Sequence, residues 1–153
     1  NVHGGGAYAD PDAALDRFDR AVDRLSDRAR ARLTVENDDR VYGPEALLPL
    51  CRRTGIPLCY DIHHHRCHPD GLGVHDAAEA AWATWDREPL FHVSSAKEGW
   101  NGHRPERHHD MVSAGDVPLG WERWEMTLDV EAKAKELAVL RRLRSLGGRG
   151  KRG

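Results

Sequence analysis

The sequence predicts an α/β fold built on a parallel sheet, and three observations carry that prediction. Five short apolar runs recur along the chain: Val2-His3, Leu33 to Glu36, Leu58 to Asp61, Leu90 to His92 and Met126 to Glu131. The segments between them mostly have helical spacing, so strands and helices alternate. Each run delivers a His, Asp or Glu at or near its C-terminal end, where a parallel sheet builds an active site. Five strands fit an open sheet or the back half of a larger barrel. An eight-stranded barrel takes about 250 residues, and this chain has 153.

Composition is that of one domain able to bury a core, with 31% charged and 39% hydrophobic residues. The net charge of -2 gives no global electrostatic case for nucleic acid. It is a poor veto, because bound cations would neutralise some of the carboxylates counted. No apolar run approaches the roughly 18 residues of a membrane span, and no signal peptide opens the sequence. Cys51, Cys59 and Cys67 are odd in number, the usage of reduced cytosolic thiols.

The elements follow in order. After Val2-His3 and the Gly4-Gly5-Gly6 turn, Asp10-Pro11-Asp12 starts a helix expected over 12–30, with Leu15, Phe18, Ala21, Val22 and Leu25 on one face. Leu33 to Glu36 is a strand closed by Asn37-Asp38-Asp39. Gly43-Pro44 opens a helix to about Arg53, which Thr54-Gly55 ends, and a strand follows over 56–62. Residues 63–75 read as a polar loop, and Ala77 to Trp85 as a helix. Leu90 to Val93 is the fourth strand. Residues 94–120 lack regular pattern, and a segment of that length is usually functional or disordered. A strand over 124–130 feeds a helix over 132–144, and residues 147–153 (GGRGKRG) read as a flexible basic tail.

The strand-end groups are carboxylates and imidazoles with no thiolate set, which points to a cluster of divalent metals. Asp61-Ile62-His63-His64-His65 is the densest part. If the strand stays extended, His63 shares a face with Asp61; if it turns after Ile62, His64 swings back beside it. Each group has an ordinary alternative. The histidines could be an exposed polar loop, Glu36-Asn37-Asp38-Asp39 a capped turn, His92 a core histidine and Glu131 a helix N-terminal acid. Together, at one end of consecutive strands, those alternatives lose their force.

In order and spacing, VHGGG at 2–6, LTVENDD at 33–39, GIPLCYDIHHH at 55–65, FHVSS at 91–95, HHD at 108–110 and DVEAKAKE at 129–136 resemble the C-terminal half of the UV damage endonuclease family. The resemblance runs to about Leu143. It implies a partial TIM barrel, about the last five β–α units, over residues 1–146. It further implies a metal-dependent endonuclease that nicks damaged double-stranded DNA 5′ to UV photoproducts, in the cytoplasm and at the nucleoid. Up to three divalent ions are implied, manganese first and zinc or magnesium as alternatives. The implied ligands are His3, Glu36, Asp61, His64, His92, His108 and Glu131, with His64 preferred to His63 by the Asp-x-x-His spacing. Glu36, Asp61 and Glu131 are the implied catalytic acids, and Lys97, Lys133 and Lys135 the phosphate contacts.

The chain departs from the family pattern at Leu90, where a lysine is usual, and at Met111, where a tyrosine is usual. The β–α units that precede this half in the family are the expected partner, with self-association as the alternative. Two other functional classes remain beside it: a sugar isomerase or epimerase on the same barrel type, and an inactive fragment.

Overall fold

The computed structural model describes residues 1–147. Five strands form one sheet in the order β1 (Val2–His3), β2 (Val35–Glu36), β3 (Leu58–Asp61), β4 (Leu90–Val93) and β5 (Thr127–Val130). All four pairings are parallel. A strand order that follows the sequence without reversal is the walk of a (β/α) barrel, unlike the doubly wound sheet, whose order turns back.

The register assigns faces. Val2, Val35 and Leu58 stand side by side, as do Tyr60, Phe91 and Leu128, on the face that packs against helices. His3, Glu36 and Cys59, then Asp61, His92 and Asp129, line the opposite face. Successive side chains alternate, so a slip of one residue would exchange the core for the polar row.

The first expected helix is two. α1 (Pro11–Val22) is capped by Asp10, whose carboxylate accepts from Ala13 N, and it stops at Val22. Ser26 then caps a short α2 (Asp27–Arg30), its hydroxyl accepting from Ala29 N. A serine that bonds to nearby backbone offers the chain an exit from the helix, and Leu25, placed on the apolar face by spacing, is 38% exposed. α3 (Pro44–Thr54) opens with Pro44 and ends at Gly55, whose φ of 72° is the left-handed C-terminal conformation glycine adopts freely.

Residues 63–67, expected as loop, belong to a helix. α4 (Ile62–Cys67) begins as soon as β3 ends, because Asp61 turns its carboxylate back to accept from His64 N at 2.9 Å. An Asp three residues ahead is a capping position, so the metal-like spacing is also a helix start signal. α5 spans Val74–Trp82. β5 starts at Thr127, later than expected, and Trp121–Arg123 before it form a 3-10 turn. α6 (Glu136–Gly147) also starts later, because Lys133 N and Ala134 N donate to His109 O and Asp110 O, both at 3.0 Å. From residue 148 the expected basic tail lies outside the described residues. Among those residues no helix is long and apolar enough to cross a membrane.

The core lies between the sheet and the helices. Phe91 is fully buried, with Tyr60, Trp82, Trp121 and Trp124 around its ring at centroid distances of 5.5 to 6.4 Å. Phe91→Ala is expected to lower stability by about 3–5 kcal/mol, since rigid rings on all sides cannot collapse into the space. Urea unfolding checks this, and a loss below about 1 kcal/mol would mean that the cluster does not pack the sheet.

Candidate metal centre

Strand register brings most of the expected groups together. His3 lies opposite Glu36, and Asp61 opposite His92. Glu131 follows β5, its N–H donating to Val93 O at 3.0 Å. His108 arrives from the long segment after β4, which folds back as a hairpin. Its marks are an antiparallel bridge between Ala96 and His108, Lys97 N donating to Arg107 O at 2.7 Å and His109 N donating to Ser95 O at 2.8 Å.

Glu36 sits at the middle. Its Oε1 is 3.1 Å from His92 Nδ1 and 3.4 Å from His64 Nδ1, while its Oε2 faces His3 Nε2 at 3.9 Å and accepts from the Asn1 amide. Three carboxylates converge on His92 Nδ1, with Glu131 Oε1 at 3.4 Å and Asp61 Oδ2 at 3.9 Å besides Glu36. His64 Nδ1 is 3.5 Å from Asp61 Oδ2, and His108 Nδ1 is 3.7 Å from Glu131 Oε2. Two groups have donor atoms close enough to share one ion: His3, Glu36 and His64, and Glu36, Asp61 and His92.

Asn37, fully buried, holds the two strand ends in line. Its amide donates to Asp61 O at 2.8 Å and accepts from Asp61 N at 2.9 Å, and its own carbonyl meets His64 Nδ1 at 3.0 Å. Asn37→Ala would leave the buried N–H of Asp61 unpaired and take one donor from its C=O. The expected loss is about 1–3 kcal/mol, read as a lower urea midpoint. A midpoint within error of wild type would show that the amide bracket is dispensable.

Burial and neighbouring charges oppose one another at Glu36, His64, His92 and Asp61. Burial opposes ionisation of Glu36, yet hydrogen bonds to His64 and His92 outweigh it and hold the carboxyl well below its usual range. Burial also opposes charge on His64, but Glu36 and Asp61 raise its ring to about 9. His92 is raised as well, burial again opposing and its contacts with Cys59 and Glu36 prevailing. Burial pushes the Asp61 carboxyl up despite His64. His63 goes the other way, down to about 4, through burial and the neighbouring His108 and His64 rings.

A divalent cation fits this set. Asp61 Oδ2 is buried and has no hydrogen-bond donor, and a buried carboxylate oxygen without a partner is costly unless a positive charge meets it. An imidazolium among three carboxylates supplies some of the charge that a metal would supply in full. The donors are nitrogen and oxygen, suited to borderline or hard divalent ions.

Lys97, Lys133 and Lys135 are exposed. Lys133 and Lys135 border a cavity of about 560 Å³ that also touches His108, Asp129 and Glu131, while Lys97 sits on the hairpin. His63 turns away from the carboxylates toward Trp100 and His108. Sequence reasoning missed Asn1, which no motif marks, and the bracketing role of Asn37, whose type suits a turn equally well.

A sequentially ordered parallel sheet with acids and imidazoles at its strand ends is the framework of a (β/α)-barrel protein with a candidate cation centre. The family model described as UV-endonuclease UvdE matches residues 1–151, and the chain belongs to that family. It is 36% identical over 155 residues to a UV DNA damage endonuclease of Bacillus velezensis, covering 95% of this chain and 48% of that protein. Identity is 37% over 122 residues to the Deinococcus radiodurans protein of that name, covering 75% of this chain and 38% of the other. A UV-damage endonuclease of Schizosaccharomyces pombe is 34% identical over 150 residues, at 90% of this chain and 24% of its own. The crystal structure of SacUVDE superposes with a TM-score of 0.83 at 26% identity, over 97% of this chain and 51% of that one. The chain thus spans about half the length of the Bacillus velezensis relative.

Proposed function

We propose that residues 1–146 are the C-terminal portion of a TIM-barrel endonuclease domain and carry its metal centre. The activity is hydrolysis of a DNA phosphodiester 5′ to a UV photoproduct. The observation that supports this best is the convergence of Glu36, Asp61 and Glu131 on His92 Nδ1, with Asp61 Oδ2 left unpaired. His3, His64, His92 and His108 would hold up to three divalent ions, manganese first, with the three acids supplying negative charge. Bound ions would supply Lewis acidity to the phosphate and lower the pKa of an attacking water.

Glu36 and Asp61, with side chains 5% and 0% exposed, are too enclosed to meet solvent; Glu131, at 32%, is open to it. Glu131 is therefore the acid that takes the proton of an incoming water, at the oxygen facing His108. Lys97, Lys133 and Lys135 bind flanking phosphates, which positions the strand without reading its sequence. Selectivity comes from the lesion, where bending and unstacking the duplex is least costly. This reading puts the protein at the nucleoid in the cytoplasm, working with the β–α units that precede this half in longer relatives.

The test is an end-labelled duplex carrying one UV dimer, incubated with this chain and manganese, with and without EDTA. A nick just 5′ of the dimer that EDTA abolishes is the expected result. A folded, manganese-loaded sample that binds the duplex but never cuts it would show that this half does not carry the chemistry by itself.

A further inference from the structure

The segment between β4 and β5 is long and poor in regular structure, yet it delivers His108 to a defined place. One carboxylate accounts for much of this order. Asp116, its side chain 15% exposed, accepts from the Ser95 hydroxyl with one oxygen and from Trp100 Nε1 at 2.7 Å with the other. Arg66, on α4 two residues beyond His64, donates to the Asp116 carbonyl at 2.9 Å and lies 3.5 Å from Oδ1. Four parts of the chain therefore meet at one side chain: the end of β4, the hairpin, α4 and the 3-10 turn Ala114–Asp116.

Two routes lead from that junction to His108. Through the backbone, Ser95 O accepts from His109 N at 2.8 Å, while Ser95 Oγ accepts from Ser113 N at 2.9 Å. Ser95 thus ties down the segment just after His108 at two points. Through side chains, the Trp100 ring lies 5.1 Å from the Arg66 guanidinium and 5.0 Å from the His63 ring, and His63 meets His108 edge-on at 4.8 Å. His63 is fully buried and neither ring nitrogen has a hydrogen-bond partner, so in this contact it acts as a packing spacer.

We propose that Asp116 is a positioning residue: it clasps the Lys97–Arg107 hairpin against α4 and so sets His108 in the metal centre. The proposal rests on the reading of His108 as a metal ligand. Asp116 touches none of the candidate ligands, and acts by giving three donors from separate elements one acceptor. The amide of Asp116→Asn keeps the shape, but with its oxygen on Trp100 its NH2 can only donate toward Ser95, which already accepts from Ser113 N, and the Ser95 hydroxyl proton loses its acceptor. Holding a ligand through such outer partners is worth 10–100-fold in metal affinity in general.

Two measurements on Asp116→Asn in this same chain decide the matter. In metal-free protein, trypsin should cut after Lys97 and Arg107 at least tenfold faster than in wild type. Cutting after Arg24 and Arg28, exposed between β1 and β2, should be unchanged, which excludes general unfolding. In manganese titrations the weakest site should lose at least tenfold in affinity, as in His108→Ala, and combining the two substitutions should add nothing further. If Asp116→Asn folds poorly, Ser95→Ala, which removes the hydroxyl that donates to Asp116 and accepts from Ser113 N, should show an effect of the same kind.

Wild-type cutting rates at Lys97 and Arg107 would overturn the clasp. Faster cutting with every manganese site intact would overturn its link to His108. If wild type itself binds no manganese, the metal-centre reading fails and takes the link to His108 with it, while the trypsin result still reports on the clasp.

Discussion

Glu36→Gln is expected to abolish cation binding at the centre of the cluster. Glu36 belongs to both candidate ligand groups and approaches His3, His64 and His92. Outer partners of metal ligands are worth 10–100-fold in affinity, so losing a shared carboxylate should cost more than about 100-fold. Titration calorimetry with manganese reads this directly, and binding within tenfold of wild type would remove Glu36 from the centre. The metal-free variant should be destabilised, and less so as pH rises. Near pH 6, where His64 and His92 are protonated, the glutamine removes their counter-charge and destabilises the fold. Near pH 10 the His64 ring, held to about 9, has lost its proton while His92, held to about 11, keeps its own, so the loss shrinks without vanishing.

Manganese should raise the melting temperature, and more at pH 8 than at pH 6. The rings of His64 and His92 are raised above the ordinary 6.5. Their contribution to metal-free stability is therefore complete below about 6.5 and declines as pH rises through the folded values, about 9 for His64. Glu36, depressed below its ordinary 4.5, contributes fully above that value and loses the contribution as pH falls through its folded one. The metal-free protein is thus best supported by these groups between about pH 4.5 and 6.5. Asp61 acts in the opposite sense, because its raised carboxyl makes ionisation costly until a cation meets it.

A metal takes the place of the imidazole protons, so binding releases them and strengthens with pH. At 100 times Kd the ion adds about 2.7 kcal/mol, and each proton released makes Kd about tenfold tighter per pH unit. Thermal melts at fixed free manganese over pH 6 to 8 check the slope. A shift independent of pH would mean that the ion does not displace protons from His64 and His92.

Much of this was legible in the sequence because it depends on local rules. Five strands stand where the apolar runs are, and the fourth, Leu90–Val93, coincides with its run to the residue. The family emerged from ordered motifs, and the parallel α/β class from strand–helix alternation. The errors fall where two local signals compete. Residues 63–67 looked like loop for their histidines, but Asp61 caps them into α4. Ser26 divides a helix that apolar spacing alone would run through, and hydrogen bonds from Lys133 and Ala134 to residues more than 20 positions away delay α6.

Strand period and motif spacing, properties of neighbours along the chain, are enough to say which chemical groups stand at the strand ends. Which of those groups meet depends on how the strands pack. His92 gathers Glu36, Asp61 and Glu131 because parallel register aligns strand ends that lie far apart in sequence, and Asn37 locks two of them. Asp116 looks like any surface acid until Ser95, Trp100 and Arg66 are seen to share it. Such convergence is settled by packing and by the need to pair buried polar groups, and neither can be read from spacing along one chain.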